Sequence, residues 1–293
     1  MDNGNETALR QCRFLSEDYF QKLYDTFIEA FSDYVIPFAL TETQFRNHLN
    51  ATGVDLARTL GCFEGDKLIG FSLNGFGLWQ GKQTVYDAGT GVIPAFRRQG
   101  ISEAMFEMML PVFSEQGVRQ FLLEVVTTNK GAIDLYEKFE FQSVRTLALL
   151  QRDGRMNLSV EASRDLEIRE IEVPDWEYLT KFWDGKTSWQ NSVDAINRSR
   201  KMKRILGAHL DGKCVGYIIF SSKFGRIAQL AVDKDHRRRG IGTALLMAMQ
   251  AETAEGFSLQ VVNIDKSITS AVDFFFKHGF HEQLSQHEMV KQM

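Results

Sequence analysis

Apolar side chains recur along this chain in two rhythms, and the switches between them mark its elements. From Ser16 to about Phe31 the positions Phe20, Leu23, Tyr24, Phe27 and Phe31 fall at the spacing of one helix face, with Ser16 as the predicted N-cap. A second helix is predicted from Thr41 to Asn50, after a weak strand signal at Leu9–Phe14. Alternation then takes over: Cys62–Phe71 reads as a hairpin turning at Gly65-Asp66, and a further strand ends at Val92. The following helix carries Ala104, Met105, Met108, Met109 and Val112 on one face, with Pro111 expected to kink or shorten it. A buried strand (Phe121–Val126), a helix (Asn129–Lys138) and a last strand complete the set. Met and Phe stripes at these spacings read as core.

The same order returns downstream. A half-buried strand starts at Leu166–Ile171, a hairpin spans His209–Tyr217 around Asp211-Gly212, and a strand ends at Val232. Arg97-Arg98-Gln99-Gly100-Ile101 and Arg237-Arg238-Arg239-Gly240-Ile241 are near copies, each between a strand and a helix. The chain therefore reads as a tandem duplication of β-α-α-β-β-β-α-β-α-β. The class is α/β (α+β), each copy a mixed, mostly antiparallel sheet flanked by helices. The polar break Gln151–Arg155 separates domains at 1–150 and 160–293, and 293 residues suit two domains.

Composition adds limits. The hydrophobic share of 44% and charged share of 25% are those of a globular protein. No apolar run approaches the ~18 residues of a membrane helix, and Met1-Asp2-Asn3-Gly4 lacks the basic start of a secretion signal. Cys12, Cys62 and Cys214 are scattered, which predicts reduced cysteines, a cytoplasmic protein and no metal site. Residues 1–150 hold 13 basic and 19 acidic side chains, residues 151–293 hold 21 and 19. The acidic first half favours cationic ligands such as amines. The clusters Arg237–Arg239 and Lys201–Arg204 lack interleaved aromatics, so nucleic acid is not an expected partner.

Chemistry concentrates at the two arginine-glycine turns. A helix start offers unpaired N–H groups and the positive end of a dipole, and glycine lets the backbone close on a ligand. Arginines add charge-assisted bonds to phosphate oxygens. With no Gly-Lys-Ser/Thr and no G-x-G-x-x-G after the first strand, the turn is neither a Walker loop nor a dinucleotide fingerprint.

Gly91–Ser102 resembles the signature of the GCN5-related N-acetyltransferase (GNAT) superfamily, Gln/Arg-x-x-Gly-x-Gly/Ala. Leu123–Asn129, Ala132–Lys138 and Phe141 are similar to its second cofactor-side motif. Leu230–Val232 through Arg237-x-x-Gly240-x-Gly242 matches as well, and Phe274–Phe280 more loosely. The resemblance implies acetyl-coenzyme A as acyl donor, bound where two strands splay apart. It places Val92 against the pantetheine arm, Arg97, Arg98, Gln99, Gly100, Ile101 and Ser102 around the diphosphate, and Asn129 on the arm. Val232, Arg237, Arg238, Arg239, Gly240, Ile241 and Gly242 are the corresponding cofactor residues of the second domain. Tyr136 is implied as the acid that protonates the departing thiolate. Glu124, twelve residues before it, matches the base of the family's ribosomal-protein N-terminal acetyltransferases, and Asp87 is a second candidate base.

Alignment of the halves puts Gln260 at Glu124, Phe275 at Tyr136 and Asp265 at Asn129. Glutamine is no base and phenylalanine has no proton to give. The expected function is acetyl transfer to a primary amine of a small molecule or peptide, catalysed by the first domain, with the second degenerate. A non-catalytic acyl-CoA sensor or scaffold is the alternative. The segment Ser32–Phe38 is the expected acceptor side.

Overall fold

The computed structural model describes residues 10–33, 40–157, 165–256 and 258–293. Met1–Gly4 and most of the Ser32–Phe38 segment lie outside them. The chain forms two compact units: Met1–Val125, Asn129–Ser143 and Met289–Met293 in the first, Val126–Thr128 and Val144–Glu288 in the second. The expected division at 1–150 and 160–293 and these units differ in their strands. The strand Gln142–Arg152 ends two residues into the polar break and belongs from Val144 onward to the second unit, while the last five residues belong to the first. Apolar Leu147–Leu150 need a sheet to cover them, which a loop at this position would not supply.

In the first unit the elements are β1 (Arg10–Phe14), α1 (Phe20–Ala30), α2 (Glu42–Thr52), β2 (Leu60–Glu64), β3 (Lys67–Trp79), β4 (Lys82–Val92), α3 (Ile101–Glu115), β5 (Gln120–Val126) and α4 (Lys130–Lys138). The strands lie in the order β1-β2-β3-β4-β5, antiparallel except for β4 and β5. Ser16 precedes a 3₁₀ turn (Glu17–Tyr19) and makes no side-chain cap, so α1 starts three residues later than its expected cap implies. Thr41 instead forms a full capping box with Gln44 at the head of α2. Pro111 does not shorten α3, which continues to Glu115.

Helices cover both faces of this sheet. Phe27 of α1 packs on Phe71 at 5.8 Å, and a side chain at Gly75 would strike the Thr52 carbonyl of α2. On the other face Phe106 of α3 meets Phe121 of β5 and Tyr136 of α4 at 5.8 and 5.7 Å. Cys12 and Cys62 are cross-strand partners of β1 and β2 joined by a disulfide, which corrects the expectation of three reduced cysteines; Cys214 is free.

In the second unit, β6 (Gln142–Arg152) is followed by β7 (Glu167–Glu170), α5 (Trp176–Leu179), α6 (Val193–Arg198), β8 (Arg204–Leu210), β9 (Lys213–Ser221), β10 (Arg226–Val232), α7 (Ile241–Glu252), β11 (Leu259–Asp265), α8 (Thr269–Lys277) and β12 (His281–Gln292). The order β12-β6-β11-β10-β9-β8-β7 contains a parallel β10–β11 pair, the counterpart of β4–β5. Among the described residues no helix is long and apolar enough to cross a membrane.

Candidate active site

The parallel pair β4–β5 is where the first unit opens. Pairing runs from Thr84↔Gln120 to Asp87↔Leu123, yet β4 continues to Val92 and β5 to Val126. A bulge at Ala88 turns β4 at that point, since Leu73 faces Gly89 and Asn74 faces Asp87. His48 Nε2 of α2 lies 3.0 Å from the Ala88 carbonyl and fixes the bulge.

Strand alternation places the candidate residues on opposite sides of this opening. Tyr86 stands opposite Gly75 and so faces α1 and α2; its hydroxyl donates to Glu124 Oε2 at 3.1 Å. Asp87 faces α3 and α4. Its Oδ2 accepts from Thr90 Oγ1 at 2.8 Å, its Oδ1 from the Gly89 N–H at 2.9 Å, and the Tyr136 hydroxyl donates to the same carboxylate. Thr90 Oγ1 in turn lies 3.1 Å from Ser72 Oγ. Burial pushes the Asp87 carboxyl up to about 6, against the pull of those three donors. The two carboxylates thus flank the point where the strands part, one on each face. Tyr86, Thr90, Ser72 and His48 escaped the sequence reading, because a strand tyrosine or buried hydroxyl carries no motif.

At the arginine-glycine turn, Arg98 and Gly100 adopt φ of 60° and 76°, and Gly100 heads α3 with no side-chain cap. That leaves the first N–H groups of α3 uncapped by the residue before them, the arrangement a diphosphate needs. Ile101 is buried, its Cγ2 pressing on Gly70 where a Cβ would approach to 3.0 Å, so it anchors the helix start to β3.

Arg97, expected at the diphosphate, makes its contacts within the fold. Its guanidinium grips Asp33 at 2.6 and 2.7 Å, the Ala30 carbonyl at 2.8 Å and the Val92 carbonyl at 3.1 Å. The Val92 carbonyl is therefore occupied by Arg97. Gln99 bonds Arg10 and the Ala95 carbonyl. Asn129 caps α4, its side chain accepting from the Ala132 N–H at 3.3 Å. Ser102 and Arg98 remain at the turn with the backbone.

The second unit repeats this geometry with different residues beside the opening. Arg238 and Gly240 have φ of 63° and 77°, and Arg237 grips Asp184 and the Phe182 and Val232 carbonyls. The β10–β11 pairing ends at Ile227↔Val261, directly before a bulge at Ala228. These landmarks correct the alignment. Ile227 stands at the place of Asp87, and Val262 rather than Gln260 at the place of Glu124. Gln260 instead accepts from Arg226 Nε. Phe275 does stand at Tyr136, the seventh residue of α8 as Tyr136 is of α4. Ile268, with φ and ψ of −85° and 69° against −84° and 71°, replaces Asn129. Asp265 is taken up by Ser267 and Arg145. Matching Leu123-Glu124-Val125 to Leu259-Gln260-Val261 put the strands two residues out of register, and one extra residue in β11, where Asn263 has φ 57°, makes the slip three at Asp265.

Gly242 also has a local reason: a Cβ there would press on the Phe274 ring at 3.1 Å, and at that helix position α4 has the smaller Leu135. Around this turn lies a cavity of about 930 Å³, lined by Ala228, Val232, Arg238, Gly240, Val262 and Phe274 among others. Toward α5 and α6 its wall is tied by a chain of bonds: Trp183 Nε1 to Tyr217 OH, Tyr217 OH to Gln229 Oε1, Gln229 Nε2 to the Asn191 carbonyl, and Asn191 Nδ2 to the Val262 carbonyl.

Comparison with known proteins matches this geometry. The acetyltransferase (GNAT) family profile covers residues 19–141, and a GNAT acetyltransferase domain profile covers 179–291. A curated N-alpha-acetyltransferase of Sulfurisphaera tokodaii is 33% identical over 91 residues, 26% of this chain and 54% of that protein, so the chain spans about half the length of that relative. A GCN5-related N-acetyltransferase from Sphaerobacter thermophilus has the same fold, with a TM-score of 0.72, 17% identity and coverage of 97% of this chain and 95% of that one. A tandem GNAT protein of the clavulanic acid biosynthesis pathway superposes with a TM-score of 0.68 at 14% identity, covering 96% and 98%. With a profile match in each half and a splayed parallel strand pair beside each glycine turn, the chain belongs to the GNAT acetyltransferase superfamily and carries two GNAT domains.

Proposed function

We propose that the first unit transfers an acetyl group from acetyl-CoA directly to a primary amine of a small molecule or peptide. When bound, acetyl-CoA supplies the activated thioester; the uncapped start of α3 with Arg98, Gly100 and Ser102 is the part of this chain that fits its diphosphate. The observation that carries the reading is the placement of ionisable groups on both faces of the β4–β5 opening, where the second unit has Ile227, Val262 and Phe275.

In this reading Glu124, steadied by the Tyr86 hydroxyl, faces α1 and α2 and takes the proton that the attacking amine must lose. Tyr136 lies on the α3–α4 face and gives a proton to the departing sulfur. Asp87 accepts from the Tyr136 phenol and so holds it at the opening until that proton is needed. Two carboxylates beside the opening also suit a cationic acceptor. The likeness to an N-alpha-acetyltransferase makes a peptide α-amine the first acceptor to try.

The test is release of coenzyme A thiol from acetyl-CoA against a panel holding a tetrapeptide with a free N-terminal alanine, a polyamine and an amino sugar. The account expects one acceptor class to turn over. Tyr136→Phe should lower kcat roughly 100-fold while KM for acetyl-CoA changes little. Full activity in that variant removes Tyr136 from the mechanism.

A second reading, for the second unit alone, is favoured by its 930 Å³ cavity. It is a cleft that binds an acyl-CoA and does not turn it over.

A further inference from the structure

The same strut occurs in both units, built from different local structure. In the first, Arg97 Nη1 and Nη2 clamp the Asp33 carboxylate while Nη2 also reaches the Ala30 carbonyl at the end of α1 and Nε the Val92 carbonyl at the end of β4. In the second, Arg237 makes the same set with Asp184, the Phe182 carbonyl and the Val232 carbonyl, at 2.8, 3.0 and 3.0 Å. Asp33 stands three residues after its carbonyl partner and follows an α-helix. Asp184 stands two after its own and follows a 3₁₀ turn, Thr180–Phe182. The route differs and the contact is kept.

Stability does not account for this. Asp33 and Arg97 side chains are 56% and 39% exposed, and exposed ion pairs contribute little to folding. A guanidinium has five N–H groups, and Arg97 commits four of them within the fold, which leaves a single Nη1 N–H and no fork to wrap a diphosphate.

We propose that Arg97 and Arg237 are positioning residues: each ties its diphosphate turn to the end of the preceding helical layer, and phosphate recognition falls to the turn backbone and to Arg98 or Arg238. The idea rests on reading these turns as diphosphate sites. In the first unit the strut reaches Asp33 and the Ala30 carbonyl, so the turn is held to the end of α1. Arg97 is the residue of the family signature, and its partner Asp33 lies 64 residues away in sequence.

The experiment uses the full-length chain with Arg97→Gln, Asp33→Asn, the double variant, Asp33→Glu and Arg98→Gln. Hydrogen exchange of the amides of residues 97–104 is measured first, without ligand. Coenzyme A is then titrated calorimetrically. A strut predicts that Asp33→Asn, although it removes no turn atom, speeds exchange in 97–104 as much as Arg97→Gln. It also predicts that each weakens coenzyme A by a similar factor, that the double variant is no worse than either single one, and that Asp33→Glu restores both readouts. Arg98→Gln weakens coenzyme A about tenfold, a lost charge-assisted contact, without altering exchange. The proposal is overturned if Asp33→Asn leaves turn exchange unchanged, or if Arg97→Gln weakens coenzyme A while Asp33→Asn does not. Failure of coenzyme A to bind the wild type overturns the function instead, and the exchange arm still decides the strut.

Discussion

Asp87 sits at the centre of the candidate site because of what surrounds one side chain. It is 7% exposed, accepts from Thr90, Gly89 and Tyr136, and is shifted from an ordinary 3.8 up to about 6, with burial the largest cause. The folded chain therefore binds a proton there more tightly than the unfolded chain does. Stability from this group is fully present below pH 3.8 and falls as pH rises through about 6, by about 3 kcal/mol in all. Asp87→Asn cannot ionise and escapes that loss. Urea unfolding should show the variant gaining on the wild type by about 2 kcal/mol between pH 4 and pH 7; a difference independent of pH contradicts this environment. Transfer activity should rise through pH 6 in the wild type if the ionised form orients Tyr136. None of this was visible in sequence beyond position. Glu124 and Tyr136 could be named because they belong to a recurring motif. Tyr86, Thr90 and Ser72 could not, since their roles follow from a bulge at Ala88 that no residue type announces.

Among elements, the hairpins and the strand–turn–helix units were legible, with β4 and β10 ending at Val92 and Val232 as expected. Their signals are local: Gly-Asp turns, alternation and helix spacing within a few residues. Strand β6 was expected as the last strand of the first repeat, but its membership in the second unit was hidden, because its pairing is decided far away in sequence. Its Arg145 bonds Glu288 of β12 at 2.7 Å, Asp265 of β11 at 3.1 Å and the Lys186 and Thr187 carbonyls. Arg145 and Glu288 side chains are 14% and 2% exposed. Although burial works against it, hydrogen bonds from Ser267 and Arg145 hold Asp265 below its usual value. Removing the guanidinium leaves two carboxylates near one another with their partner gone. Arg145→Ala should cost about 3–5 kcal/mol in denaturant unfolding, far more than an exposed pair. A loss below ~1 kcal/mol, the value of a surface pair, contradicts the buried network described.

For the molecule as a whole, duplication followed by divergence is the governing fact. Both units keep the positive-φ turn, the strut and the splayed parallel strands, and at the places of Asp87, Glu124 and Tyr136 the second has Ile227, Val262 and Phe275. The sequence made the duplication plain but misplaced two of three counterparts by pairing the two Leu-x-Val triplets out of register. The corrected three are Val262, Phe275 and Ile268, and with Ile227 at the place of Asp87 these positions are all apolar. The most direct test disables one turn at a time. Gly100 and Gly240 both need positive φ, so Gly100→Val and Gly240→Val each force a β-branched residue into a conformation it resists. Acetyl-CoA turnover with the accepted amine is then measured in each full-length variant. The account predicts that Gly100→Val loses at least about 100-fold in kcat/KM while Gly240→Val keeps most of it; loss in Gly240→Val with activity retained in Gly100→Val would contradict it.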